Sequence, residues 1–133
     1  MSAIVLDTNI VSYLFNDDTR AALYRPHLDN VVINLSFTTV AEMWFGAERA
    51  AWGDVRCRRL DMFLRDYAVI ESTPEICRIW AQITAACERQ GRRILPPDAW
   101  IAACALRYEI PLVTHNRRDF EAVPDLQIIS ENE

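Results

Sequence analysis

Along this chain, short β-branched runs alternate with longer segments in which apolar residues recur every three or four positions. The first pattern predicts strands covered on both faces; the second predicts helices with one buried side. Ile4-Val5-Leu6 is the first run and ends at Asp7, after which Thr8 and Asn9 open a short helix with Ile10, Leu14 and Tyr13 inward. Thr19–Tyr24 reads as a second short helix ending before Pro26, and Val31-Val32-Ile33 as a buried strand. Ser36, Thr38 and Thr39 crowd the start of a helix running to about Trp52, with Gly53 as its stop. Asp54–Tyr67 predicts a basic amphipathic helix with Val55, Leu60, Phe63 and Leu64 as its apolar side, followed by a strand at Ala68-Val69-Ile70. Thr73 and Pro74 form a strong helix start, and Ile76, Ile79, Trp80, Ile83 and Cys87 trace that helix's buried stripe as far as Gly91.

The stretch from Ile94 to Phe120 organises the rest. Pro96 and Pro97 preset the first turn of a helix, where a missing amide costs nothing. Ile101, Cys104, Ala105 and Tyr108 carry its inward face, and Pro111 stops it. Leu112–Thr114 predicts a short buried strand, a polar turn then opens another helix, and Leu126–Ile129 supplies a last strand. Asp98 and Asp119 stand at the starts of the two helices in this stretch. Strands and helices thus alternate throughout, which predicts an α/β layer fold with a mainly parallel sheet. At 133 residues this is one domain, residues 1–133, without repeat or linker.

Composition narrows the chemistry. All fourteen cationic residues are arginine, so a Walker A lysine or a Schiff-base lysine is excluded, and three glycines cannot build a phosphate cradle. The net charge of −5 argues against a uniformly basic nucleic-acid surface. Cys57, Cys77, Cys87 and Cys104 form no C-x-x-C pair and read as structural thiols, with Cys57, among arginines, the one whose thiolate is favoured. No signal peptide or membrane span is predicted, which places the protein in the cytoplasm.

In parallel sheets ligands gather outside the carboxyl ends of the strands. Asp7 stands at one such end and Asp119 just beyond another; Glu42 and Asp98, each in the first turn of a helix, can point at the same crevice. Each acid also has a plain structural reading. Asp7 suits an N-cap, Glu42 completes a T-V-A-E capping box with Thr39, and Asp98 and Asp119 complement helix dipoles. Together they require protons or a metal cation, because two carboxylates about 4 Å apart repel by roughly 4 kcal/mol at an effective dielectric of 20. Oxygen ligands favour Mg2+ or Mn2+ over Zn2+, and such an ion lowers the pKa of water and neutralises a phosphodiester.

Four segments in fixed order resemble a known family: I-V-L-D-T-N-I, L-S-F-T-T-V-A-E-M-W-F-G, D-A-W-I-A-A-C-A and V-T-H-N-R-R-D-F. They are similar to PIN-domain proteins, and more closely to the VapC-type toxin ribonucleases of toxin–antitoxin systems. The resemblance implies a PIN-like three-layer fold, a five-stranded mainly parallel sheet between helices. It implies that Asp7, Glu42, Asp98 and Asp119 are the acidic metal-binding and catalytic quartet, with Thr8, Thr114 and Asn116 as supporting polar positions. The implied activity is Mg2+- or Mn2+-dependent cleavage of structured RNA, tRNA or rRNA, leaving a 5′-phosphate. The implied partners are a second copy of the chain and a cognate VapB-like antitoxin, forming a hetero-oligomer without a membrane.

Arg92, Arg93, Arg117 and Arg118 lie nearest the crevice in sequence and suit phosphate contacts, or are solvated loop charges. His115 is expected to face solvent, and the Trp44, Phe45 and Trp52 surface either packs in the core or serves an interface. Two other classes compete. An aspartyl-phosphate phosphohydrolase fails because position 9 is Asn and its lysine is missing. A catalytically silent PIN-like module that binds RNA or protein stays open.

Overall fold

The computed structural model describes residues 2–132. Five strands, β1 (Ala3–Leu6), β2 (Val32–Ser36), β3 (Ala68–Ile70), β4 (Leu112–Val113) and β5 (Ile128–Ile129), form one sheet in the order β3-β2-β1-β4-β5. Every neighbouring pair is parallel, with Leu6 opposite Leu35 on one side and Val113 on the other. Parallel neighbours need crossovers, and six helices supply them: α1 (Thr8–Phe15), α2 (Ala21–Tyr24), α3 (Phe37–Arg49), α4 (Asp54–Leu64), α5 (Pro74–Arg89) and α6 (Pro96–Arg107).

Strand side chains alternate between two cores, which makes the fold three-layered. Ile4, Leu6, Leu35 and Val113 meet Ile10, Val11, Phe15, Met43, Ala47, Leu60 and Leu64 from α1, α3 and α4. Val5 and Leu112 meet Ile76, Ile83 and Cys87 of α5 and the Ala99–Ala105 run of α6. That run is buried almost all round, since small alanines let α6 lie close against the sheet on one side and α5 on the other. The four cysteines are free, as their helical positions predict.

Several element ends differ from the sequence expectation. α3 stops at Arg49, because Ala51 takes a left-handed conformation (φ 54°), and Gly53 is the N-cap of α4, not the stop of α3. α4 ends at Leu64, three residues short of Tyr67, and Val55 is 66% exposed; only Leu60 and Leu64 are fully inward. In α1 the buried positions are Ile10, Val11 and Phe15, with Tyr13 and Leu14 half-covered. Tyr108 is a C-cap, half exposed, and not part of the α6 inner face. α2 runs straight into a 3-10 turn at Arg25–Leu28 that takes in Pro26, at a position where proline is tolerated. After Asn116 there is only a 3-10 turn, Arg117–Asp119, and no longer helix.

A left-handed alanine is about 1–2 kcal/mol less comfortable than glycine. Ala51→Gly is therefore expected to raise unfolding free energy by up to about 1 kcal/mol after glycine's extra chain entropy is deducted. A urea midpoint that falls would show that the α3–α4 corner is shaped by something else.

Candidate active site

Chain order reverses between β1 and β4, and such a reversal opens a crevice at the carboxyl ends of the two strands. Asp7 follows β1 there; its amide donates to the Val113 carbonyl at 2.8 Å, which fixes the residue beside the end of β4. Asp7 is 5% exposed, and both of its carboxylate oxygens are held. Oδ1 accepts from the Thr8 amide at 2.8 Å, the N-cap role that its position suggests, and Oδ2 accepts from Thr114 Oγ1 at 2.7 Å. The Thr114 hydroxyl in turn accepts from the Asn116 amide at 3.0 Å, so one buried threonine orients the acid and starts the turn that carries Asp119.

Glu42 arrives from α3. Its capping-box reading is wrong, because Ser36 is the N-cap and accepts from the Thr38 amide at 3.1 Å. Glu42 therefore falls in the second turn, not the first, out of reach of its own helix's free amides. Thr8 Oγ1 donates to Glu42 Oε1 at 2.6 Å, and Thr39 Oγ1 lies 3.0 Å from the same Thr8 oxygen. A hydroxyl has one proton, and Thr8 has given its proton to Glu42, so Thr39 is the donor to Thr8. Thr8 thus links the acid at the end of β1 to the acid on α3, while Thr39, a helix-start residue in the sequence reading, supports that link.

Asp98, in the first turn of α6, and Asp119, at the end of the 3-10 turn, line one pocket with Arg92, Arg93 and Arg118. The acids act on one another. Burial pushes the Asp98 carboxyl up to about 7, helped by the charges of Asp7, Asp119 and Glu42. Burial likewise pushes Asp7 up to about 6, against the hydrogen bonds from Thr114 and Thr8 and with the charges of Glu42 and Asp119. Among the described residues none of the four is in an ion pair. Nor do any three Asp, Glu, His or Cys side chains stand close enough, as they are, to hold one metal ion. Asp7, Glu42, Asp98 and Asp119 are brought within range of each other's charge but not gathered to coordination distance. An all-oxygen donor set, with Asp7 buried, Glu42 and Asp98 half-buried and Asp119 exposed at the rim, fits a hard divalent cation.

Of the four arginines expected near the crevice, Arg117 turns away, its guanidinium 3.4 Å from the Ile128 carbonyl. Arg92 lines the pocket but is already paired with Glu121 at 2.7 Å, which leaves Arg93 and Arg118 as pocket cations without such a partner among the described residues. His115 does not face solvent as expected: it is half-buried, and its Nδ1 lies 2.6 Å from the Tyr24 hydroxyl. Tyr24 was read only as a helix end. On α3, Phe45 is 62% exposed beneath the Arg49 guanidinium, whereas Trp52 stacks on Phe15 and is covered by Arg56.

The PIN domain family model matches residues 4–126. Ribonuclease VapC1 of Haemophilus influenzae is 31% identical over 92% of this chain and 93% of its own length. The tRNA(fMet)-specific endonuclease VapC of Shigella flexneri is 28% identical over 96% of each. Among solved structures, VapBC-1 from nontypeable Haemophilus influenzae superposes with a TM-score of 0.83 at 30% identity, covering 96% of this chain and 97% of that one. VapBC2 from Rickettsia felis, bound to a promoter DNA fragment, has the same fold, with a TM-score of 0.86 at 24% identity over 98% and 99% of the two chains.

The raised acids dictate a pH dependence. An unfolded carboxyl titrates near 3.9, so between about pH 4 and pH 7 the folded, metal-free protein binds more protons than the unfolded chain. Stability then falls as pH rises through that window and levels off above it. Asp98→Asn removes the later part of this loss, so the variant's urea midpoint relative to the native protein is expected to climb from pH 5 to pH 7.5. A difference independent of pH would mean that Asp98 is not held near neutrality.

Proposed function

The chain belongs to the PIN domain family and, within it, to the VapC-type toxins, and on that premise we propose that it is the ribonuclease of a toxin–antitoxin pair, hydrolysing RNA phosphodiester bonds with a divalent metal. The single observation that carries this reading is the charge coupling of four unpaired acids at the carboxyl end of β1 and β4. Asp7, Glu42, Asp98 and Asp119 would hold Mg2+ or Mn2+. When bound, such an ion neutralises charge on the phosphodiester and makes water acidic enough to serve as nucleophile near neutral pH. Thr8 and Thr114 keep their acids oriented, the role that partners of ligating carboxylates have generally. Asn116 begins the turn to Asp119 and faces the same loop. Arg93 and Arg118 meet RNA phosphates at the pocket rim, where a planar guanidinium forks onto two oxygens.

The Shigella relative's name supports tRNA as the substrate class, and the VapBC neighbours support a VapB-like antitoxin partner in a toxin–antitoxin hetero-oligomer; a homodimer and a cytoplasmic location are part of the same proposal. Exposed Phe45 offers apolar surface to such a partner. One observation favours a catalytically silent PIN module instead: among the described residues no three acids are gathered for an ion as they stand.

Cleavage assays separate the two. The purified chain, freed of antitoxin, is expected to cut a tRNA mixture with Mg2+ or Mn2+ and to stop in EDTA. Asp7→Asn and Asp98→Asn are expected to reduce cleavage to background and to relieve growth arrest on expression. Thr114→Val, which keeps shape but frees Asp7 Oδ2, should lower the rate about 10–100-fold. Full cleavage in EDTA, or unchanged toxicity in both Asn variants, would sink metal catalysis.

A further inference from the structure

Beyond β4, on the face covered by α1 and α2, lies a second constellation. Strand alternation aims Thr114 at Asp7 and the next residue, His115, toward α1 and α2. The His115 ring stands edge-on to Tyr13 of α1 at 5.5 Å and to Tyr24 of α2 at 5.6 Å. Tyr24 is fully buried, and three groups converge on its hydroxyl: His115 Nδ1 at 2.6 Å, the Glu131 amide at 3.1 Å and the Thr114 carbonyl at 3.5 Å. Glu131 and Asn132 lie beyond β5, and Asn132 Nδ2 donates to the His115 carbonyl at 3.0 Å. The β4–β5 pairing continues into this region, with the Thr114 amide donating to Ile129 at 3.0 Å.

We propose that Tyr24 and His115 are positioning residues for the acidic crevice, clamping the segment after β5 onto the loop after β4 so that Thr114 stays against Asp7. The proposal rests on the reading of the crevice as a metal site. Proton counting gives the clamp a direction. The Tyr24 oxygen accepts from the Glu131 amide and has one proton to give; of its two possible acceptors, His115 Nδ1 at 2.6 Å and the Thr114 carbonyl at 3.5 Å, the nitrogen is nearer, so Nδ1 accepts and the ring hydrogen sits on Nε2. Without the clamp, the backbone at Thr114 keeps its strand bonds, but the residues on both sides lose their side-chain anchor. Thr114 Oγ1 bonds both Asp7 and the Asn116 amide, so a shift there moves Asp7 and the approach to Asp119 together.

Tyr24→Phe removes only the hydroxyl, His115→Ala the ring, and His115→Asn leaves an acceptor near Nδ1. Asn132 is exposed, so Asn132→Ala tests the tail without touching the core. In the metal-free protein, amide hydrogen exchange at Asn116 and Asp119 is expected to accelerate in Tyr24→Phe, His115→Ala and Asn132→Ala and to return toward native rates in His115→Asn. The imidazole nitrogen shifts should report the Nε2–H tautomer. With Mn2+ as probe, the dissociation constant should rise about 10-fold in Tyr24→Phe, the low end for a group acting through another, with kcat for RNA cleavage falling and KM unchanged. If the native chain binds no Mn2+ while exchange still responds, the metal reading fails and the clamp stands. Native Mn2+ binding with unaltered exchange and affinity in all the variants, or an Nδ1–H ring, overturns the clamp.

Discussion

The Asp7 carboxylate is almost out of water with no cation against it, and the crevice end of the sheet is arranged around that constraint. A charge in that position needs donors, and it has two, one from its own helix start and one from Thr114 across the strand gap. Two hydrogen bonds lessen the cost of burial without removing it, so the carboxyl remains raised. Glu42 is satisfied by Thr8, next to Asp7, and Asp98 and Asp119 add their fields from the other side. The fold therefore leaves an electrostatic cost at this site that protons on Asp7 and Asp98 offset, or, on the function proposed above, a divalent cation would.

What brings these acids together is the central place of β1. Its neighbours in space are β2 and β4, reached by separate crossovers on opposite faces of the sheet. The helix that follows β2 and the helix that precedes β4 both bring an acid to the crevice: α3 with Glu42 and α6 with Asp98. Packing of α3 against α6 holds these two together, and the alanine run of α6 lets that helix come close to the sheet. Core packing and site geometry are here the same contacts.

Much of this was legible from residue order. Alternating runs gave the strand count, Thr73-Pro74 and Pro96-Pro97 gave helix starts, and the apolar continuity of Ile4–Leu6 identified the central strand. The fold brings the four acids within range of each other's charge, but the local settings of two of them differ from their sequence reading. T-V-A-E looks like a capping box, and only the three-dimensional neighbour Thr8 shows why Glu42 serves another helix. Asp119 looked like a helix start because R-R-D-F has no local breaker, yet the chain is turned by Thr114 and Asn116. Ala51 and Gly53 exchanged roles because a left-handed alanine carries no sequence mark. Tyr24 and His115 were invisible for a simpler reason: they are 91 residues apart, and only the fold makes them neighbours.

The order of the strands has a consequence for when the crevice exists at all. β1 carries Asp7, but Asp7 and Thr114 are 107 residues apart, as are Tyr24 and Glu131, so the contacts that complete the crevice are distant in sequence. Loops spanning most of the polypeptide must close before Thr114 meets Asp7, and such distant pairings form late in folding. A chain that has paired β1 with β2 already holds Asp7 and Glu42, yet its crevice lacks a far wall until β4 docks beside β1. Completing the sheet and closing the crevice are therefore one folding event.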